Sequence, residues 1–164
     1  EAKAVDESLA YFYYLETKLP IRIVRFFNTV GPRQLGAYGM VVPRFVKSAI
    51  SNDPITIYGD GSQTRSFCYY TDLIDGLIKL FFNEEIHGPV NLGNPKPIPM
   101  KLLAKEIIEI TKSSSELDFL PLPGDDPKQR DPDITLAREK LGWEPMVDRA
   151  EGLVKTIEYF KTKI

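Results

Sequence analysis

Short runs of β-branched and aromatic residues alternate with stretches of helical periodicity along the whole chain. No other feature narrows the possible folds as far. Ile21 to Phe27 reads as a strand that ends at Asn28 and is closed by Gly31-Pro32. Val42, Phe45, Val46, Ala49 and Ile50 then recur at helical spacing until Ser51-Asn52-Asp53-Pro54 stops them. Ile55 to Ile57 and Phe67 to Tyr70 flank a turn and read as a hairpin. A helix from about Asp72 to Phe82 follows, with Thr71 as its expected cap. This helix is apolar nearly all round, so deep burial is expected for it. Val90 to Leu92 and Leu117 to Leu122 read as further strands. Helices are expected from Pro99 through Ile110, from Ile134 to Leu141 with Gly142 as its C-terminal glycine, and around Leu153, Ile157 and Phe160. Pro123 to Pro132, rich in aspartate and proline, reads as a loop. Strands and helices in this order predict an α/β layered fold.

Composition excludes several classes of function. The chain has 164 residues, 43% of them apolar and 27% charged, which is enough for one domain with a real core. A net charge of −2 provides no general attraction to nucleic acid or an anionic membrane. A solitary cysteine, Cys68, forbids an internal disulfide, and a solitary histidine, His87, forbids a histidine-rich metal site. Both are assigned to structure. No apolar run approaches membrane-spanning length, and a cytoplasmic protein is expected. The first residues already have helical periodicity, with Val5, Leu9, Phe12 and Tyr13 in step and no cap before Glu1. A piece of a longer protein, cut within an element, is the expectation.

The stretch with the most chemistry is Tyr58-Gly-Asp-Gly-Ser-Gln-Thr-Arg65-Ser-Phe67. Two glycines bracket an aspartate, so the backbone can take left-handed angles there. Arg65 stands beside this turn at a strand edge. Its planar fork can bind two oxygens of a phosphate or carboxylate at once. The plainer alternative is an ordinary hairpin with a solvated arginine.

Five stretches in series carry a resemblance: Arg25-Phe-Phe-Asn-Thr-Val-Gly-Pro-Arg33, Tyr58 to Phe67, Asn91-Leu-Gly-Asn-Pro95, Asp125-Asp-Pro-Lys-Gln-Arg-Asp-Pro-Asp-Ile134 and Leu141-Gly-Trp-Glu-Pro145. Together they resemble the extended short-chain dehydrogenase/reductase family, the NAD-dependent epimerases and dehydratases of nucleotide sugars. The resemblance spans the whole chain but only the C-terminal half of a family member. It implies the end of a Rossmann-type parallel sheet plus the smaller α/β substrate-binding domain. Residues 1–40 would be the last helix and strand of the NAD-binding part. Residues 41–164 would be mainly the nucleotide-sugar part, with some segments returning to the Rossmann sheet. The glycine-rich dinucleotide turn of the family is not in this sequence.

Residue by residue, the resemblance implies the following roles. Glu1-Ala2-Lys3 looks like the end of the family's Tyr-x-x-x-Lys pair, which makes Lys3 the catalytic lysine and a ligand of the nicotinamide ribose. Its tyrosine would lie ahead of Glu1. Moving that phenol from about 10 toward about 7 takes about 4 kcal/mol, which a close cation in a poorly solvated site can supply. Phe26, Phe27 and Thr29 match positions near the nicotinamide. Asn28 matches a sugar-nucleotide asparagine. Val42, Pro43 and Thr56 resemble the wall around the base, and Tyr58 an aromatic against the uracil. Arg65 and Arg130 match two arginines that clamp the diphosphate, and Asp133 matches an acceptor for the ribose hydroxyls. The plainer alternatives stay open: a surface lysine for Lys3, packing for the apolar residues and a helix cap for Asp133. Asp125 and Asp126 read as solvated loop residues.

Within the family the C-terminal motifs look most like the decarboxylases of UDP-glucuronate. This implies oxidation at C4 by NAD, loss of carbon dioxide from the 4-keto sugar, and UDP-xylose as product. Gly39 to Phe45 resembles the 4-epimerases equally, because Met40 stands where the decarboxylases usually have arginine. A UDP-glucose 4-epimerase or related epimerase/dehydratase is therefore one alternative, and a non-catalytic nucleotide-sugar-binding fragment is another. The expected partners are a UDP-sugar, the missing N-terminal Rossmann half and a second copy docked through the first helix, with neither nucleic acid nor membrane.

Overall fold

The computed structural model describes residues 2–36, 40–122, 124 and 129–163, the side chains of Gln129 and Arg130 apart. The order of elements begins with α1 (Ala2–Thr17), β1 (Ile23–Phe26), β2 (Thr29–Val30) and α2 (Val41–Ser51). There follow β3 (Ile55–Tyr58), β4 (Thr64–Ser66), β5 (Cys68–Tyr69), α3 (Tyr70–Phe82), β6 (Pro89–Leu92) and β7 (Pro97–Pro99). The last elements are α4 (Met100–Thr111), β8 (Leu117–Leu120), β9 (Gln129–Arg130), α5 (Thr135–Leu141) and α6 (Arg149–Lys161). The expected α/β class is what the chain adopts. Among the described residues four strand pairs are parallel: β1 with β6, β2 with β5, β3 with β8, and β4 with β9. The parallel partner expected for the Ile21–Phe27 stretch is thus β6.

Two apolar cores hold these pairs together. In the first, α2, α4 and α6 lay Val42, Phe45, Val46, Leu103, Ile107, Leu153 and Ile157 against Ile55 and Ile57 of β3. In the second, Leu73 and Leu80 of α3 meet Val90 and Leu92 of β6, with Ile134, Ala137 and Trp143 closing over them. Gly76 permits that closure: a Cβ there would lie 2.8 Å from Leu92 and 2.9 Å from the Trp143 ring nitrogen. Among the described residues no helix is long and apolar enough to cross a membrane.

Three expectations need correction. First, β3 and β4 do not form a hairpin. Gly59 and Gly61 do take left-handed angles, φ 65° and 76°, but the turn docks on the start of α4 instead of folding back on itself. Lys101 donates its backbone N–H to the Gly61 carbonyl at 3.1 Å and Met100 to that of Gln63 at 3.0 Å. A Cβ on Gly61 would lie 2.8 Å from Lys101 Cβ. β4 is thereby turned away from β3 and pairs with β7 and β9. Second, α3 is not deeply buried. Ile74, Ile78, Phe81 and Phe82 are 47–75% exposed, because β6 and α5 cover only one stripe of a helix that is apolar on its other faces too. Third, Thr71 does not cap α3, which starts two residues earlier, at Tyr70, with Tyr69 at its N-cap position and no side-chain cap bond. The loop glycine Gly39 and the loop residues Asp125 and Asp126 lie outside the described residues.

α1 buries no residue. Its hold on the sheet is polar and aromatic: Arg25 forms a two-point pair with the Glu7 carboxylate, and the Tyr14 ring stacks on His87 at 4.1 Å. The hydrogen bond from Arg25 holds the Glu7 carboxyl below its ordinary range. Arg22 donates to His87 Nδ1 at 3.1 Å, so the structural assignment of this histidine agrees with its surroundings.

Asp72, 7% exposed in the first turn of α3, fixes the chain after α5. Its Oδ2 accepts the backbone N–H groups of Met146 and Val147 at 3.0 and 2.9 Å. Replacing Asp72 by alanine orphans both donors and should cost about 2–4 kcal/mol in urea unfolding, whereas Asp75→Ala, which breaks only the exposed pair with Lys79, should cost under about 0.5 kcal/mol.

Candidate functional site

In open α/β sheets ligands bind beyond the carboxyl ends of the parallel strands. Here that place lies past Phe26 of β1 and Leu92 of β6, which are partners in register. The Phe27 N–H bonds the Leu92 carbonyl at 3.0 Å and carries the pairing one residue further. The chain then turns sharply at Asn28, whose φ of 36° is left-handed. Asparagine tolerates that region better than most side chains because its short amide can bond locally. Asn28 Nδ2 donates to the Ser66 carbonyl at 2.8 Å, and its own carbonyl accepts from the Cys68 N–H at 3.2 Å. The amide expected to need a partner therefore ties the end of β1 to β4 and β5.

Arg65 sits at the centre of β4, opposite Ile98 of β7 on one side and Arg130 of β9 on the other. It is 8% exposed and donates to the Thr64 carbonyl at 2.7 Å. The solvated arginine of the plainer alternative is not what the chain contains. The register of β4 with β9 brings the two clamp positions side by side on neighbouring strands, although they are far apart in sequence. The Arg130 side chain lies outside the described residues. Ser66 Oγ donates to Asp131 Oδ1 at 3.3 Å, and Asn91 Nδ2 donates to the Asp133 carbonyl at 3.0 Å, so the segment after β9 is bonded to both β4 and β6. Asp133 is exposed, and its Oδ1 accepts the Thr135 N–H at 2.9 Å ahead of α5. That bond lowers its pKa, but the N-cap position of α5 is Ile134, so Asp133 stands one residue ahead of the cap.

The other candidates are more spread out. Val42 and Pro43 are buried in α2, and Thr56 and Tyr58 are half-buried in β3. The guanidinium of Arg44 lies 5.7 Å from the Tyr58 ring centroid. Lys3 is exposed in the first turn of α1, and no described hydrogen bond joins it to the rest. Phe26 is 47% exposed and Thr29 is exposed, while Phe27 is half-buried. Sequence reasoning gave no role to Ser66, Asn91 or Gly93. The signal for Asn91 is an amide between two core residues, Val90 and Leu92.

The NAD dependent epimerase/dehydratase family matches residues 1–93, more than half of the chain. The chain belongs to this family. UDP-glucuronic acid decarboxylase 1 of Arabidopsis thaliana is 43% identical over all 164 residues, which make up 38% of that relative. The UDP-glucose 4-epimerase of Thermotoga maritima, solved with UDP-glucose, superposes with a TM-score of 0.92 at 32% identity over 99% of this chain and 52% of its own. The UDP-glucuronic acid 4-epimerase of Bacillus cereus, solved with UDP-glucuronic acid and NAD, gives 0.89 at 31% identity over 96% and 50%. The chain therefore spans about two fifths to one half of these relatives. NAD is the cofactor of the family by description, as expected from the sequence.

Cys68, 1% exposed in the second core, has its thiol pushed up to about 12 by burial, with the Asp72 charge adding to the effect. A raised thiol pKa stabilises the fold fully below the unfolded value of about 9, and that contribution is lost as pH rises toward about 12. Iodoacetamide at pH 8.5 should leave native Cys68 unmodified and alkylate it quickly once urea unfolds the chain. Rapid native labelling would contradict the burial.

Proposed function

We propose that the full protein converts a UDP-sugar with NAD, and that the reaction is decarboxylation of UDP-glucuronate to UDP-xylose. This chain would be the C-terminal half that binds the nucleotide sugar, inactive alone. The carrying observation is the register that puts Arg65 opposite Arg130. Two arginine positions set side by side by the register suit one polyanion, because each guanidinium fork can bind two oxygens. A diphosphate has the charge and the oxygens for that place. Asn28, tied to Ser66, stands between it and the end of β1, where Phe26, Phe27 and Thr29 would meet the nicotinamide. Bound NAD supplies the oxidant for the C4 alcohol. Lys3 would hold a proton-bearing phenol in its reactive range and orient the ribose. Val42, Pro43, Thr56 and Tyr58 would enclose the base, and Asp133 would accept from the ribose.

Similarity to UDP-glucuronic acid decarboxylases along the whole chain favours the decarboxylase reading. A second reading, a nucleotide-sugar 4-epimerase, is favoured by the solved structures above and by Met40. The return of β6 to pair with β1 supports a division in which residues 1–40 belong to the NAD-binding part and later segments rejoin its sheet. The exposed Tyr11, Phe12 and Tyr13 of α1 support a homodimer through that helix. A soluble cytoplasmic enzyme accords with this substrate class.

The deciding experiment incubates the full protein with NAD and, in separate reactions, UDP-glucuronate and UDP-glucose. A decarboxylase yields UDP-xylose and carbon dioxide from the first, an epimerase yields UDP-galacturonate or UDP-galactose with all carbon retained, and binding without turnover of either leaves the non-catalytic alternative. Arg65→Ala should weaken UDP binding by about 1.5–3 kcal/mol, the scale of a charged hydrogen bond. Unchanged affinity would remove the clamp. A monomer by light scattering would remove the dimer.

A further inference from the structure

Asn91 is the third residue of β6, and its neighbours Val90 and Leu92 are fully buried on the opposite side of the strand. Its Nδ2 bonds the Asp133 carbonyl at 3.0 Å. Its Oδ1 is buried and has no partner among the described residues. An unmet buried acceptor is costly, so the amide is not explained by stability alone. Its one made bond reaches the segment that carries the nucleotide candidates.

A second anchor lies two residues further on. A Cβ on Gly93 would be 2.7 Å from Phe27 Cβ and 2.9 Å from Pro132 Cγ, so the Pro132 ring is seated directly on the backbone just past β6, beside the end of β1. A single contact would let residues 131–133 pivot. Two contacts, with the Ser66–Asp131 bond at the far side, fix their orientation. The Asp133 carboxylate is itself held by the Thr135 N–H, so a shift of its carbonyl would move the carboxylate too.

We propose that Asn91 is a positioning residue for the nucleotide. Through the Asp133 carbonyl it sets residues 130–133 against the carboxyl end of β6, at the distance from which Arg130 and Asp133 serve one diphosphate and its ribose. The inference rests on the nucleotide-sugar reading above.

The test uses the full protein and UDP as the probe. Asn91→Leu removes the donor together with the orphaned acceptor. UDP should then bind about tenfold more weakly by calorimetry, the KM for the UDP-sugar should rise by a similar factor with a smaller change in kcat, and NAD affinity and Tm should stay as in the wild type. Asn91→Ala removes the same donor and acceptor without adding bulk or charge, and it should give the same pattern if the leucine variant does not fold. UDP affinity within about twofold of wild type in either folded variant would overturn the inference. So would a parallel loss of UDP affinity, NAD affinity and Tm in both, which marks a structural role. If the wild type binds no UDP, the nucleotide reading fails and this inference falls with it.

Discussion

The buried carboxylate of Asp72 decides how the last third of the chain closes over the sheet. Two backbone N–H groups converge on its Oδ2, and its own carbonyl accepts from the Trp143 indole at 2.9 Å. A carboxylate in such a place is stabilised by charged hydrogen bonds to donors that would otherwise be orphaned. Trp143 is held against Leu92 and Gly76 by the same contact, and Trp143 follows directly on α5 and its left-handed C-terminal Gly142. The position of α5 fixes in turn where Asp133 and Pro132 lie. A polar group in the second core thus reaches the candidate site through packing, with no direct contact to it.

Local patterns were legible in the sequence, and long-range pairing was not. The helices at Val42–Ile50 and Met100–Ile110 were readable because one apolar stripe at a period of 3.6 faces one core. The turn at Gly59–Gly61 was readable because its angles need glycine. Its partners were not, because adjacent strands with a short turn most often pair with each other, and here backbone bonds to α4 override that preference. β2, β5, β7 and β9 have two or three residues each, too few for any alternation to show. The exposure of α3 escaped for a related reason. An apolar helix announces that its faces are suited to burial, but not how many of them its neighbours cover.

The same division holds at the site. Residue types and motif order picked out Asn28 and Arg65, and the structure gives each a partner. Asn91 and Gly93 were visible only as parts of a motif. Their meaning lies in what they touch across the fold: the Asp133 carbonyl for one, and the Phe27 and Pro132 side chains for the other.

The site's location follows from the two cores. Cys68 belongs to the second core and Tyr69 to the first, so β5 is the seam between them. Asn28 and Ser66 are bonded at this seam, and Arg65 is the next residue along β4. A seam cannot be filled by apolar side chains from either core without spoiling the packing of the other, because interiors are close-packed and tolerate little excess volume. Polar residues can occupy it when their donors are met within the fold, as the Asn28 amide is by the Ser66 carbonyl and the Ser66 hydroxyl by Asp131. The arginine pair positions, the asparagine turn and the Asp131–Asp133 segment all meet there because two cores that pack separately leave that line for polar chemistry.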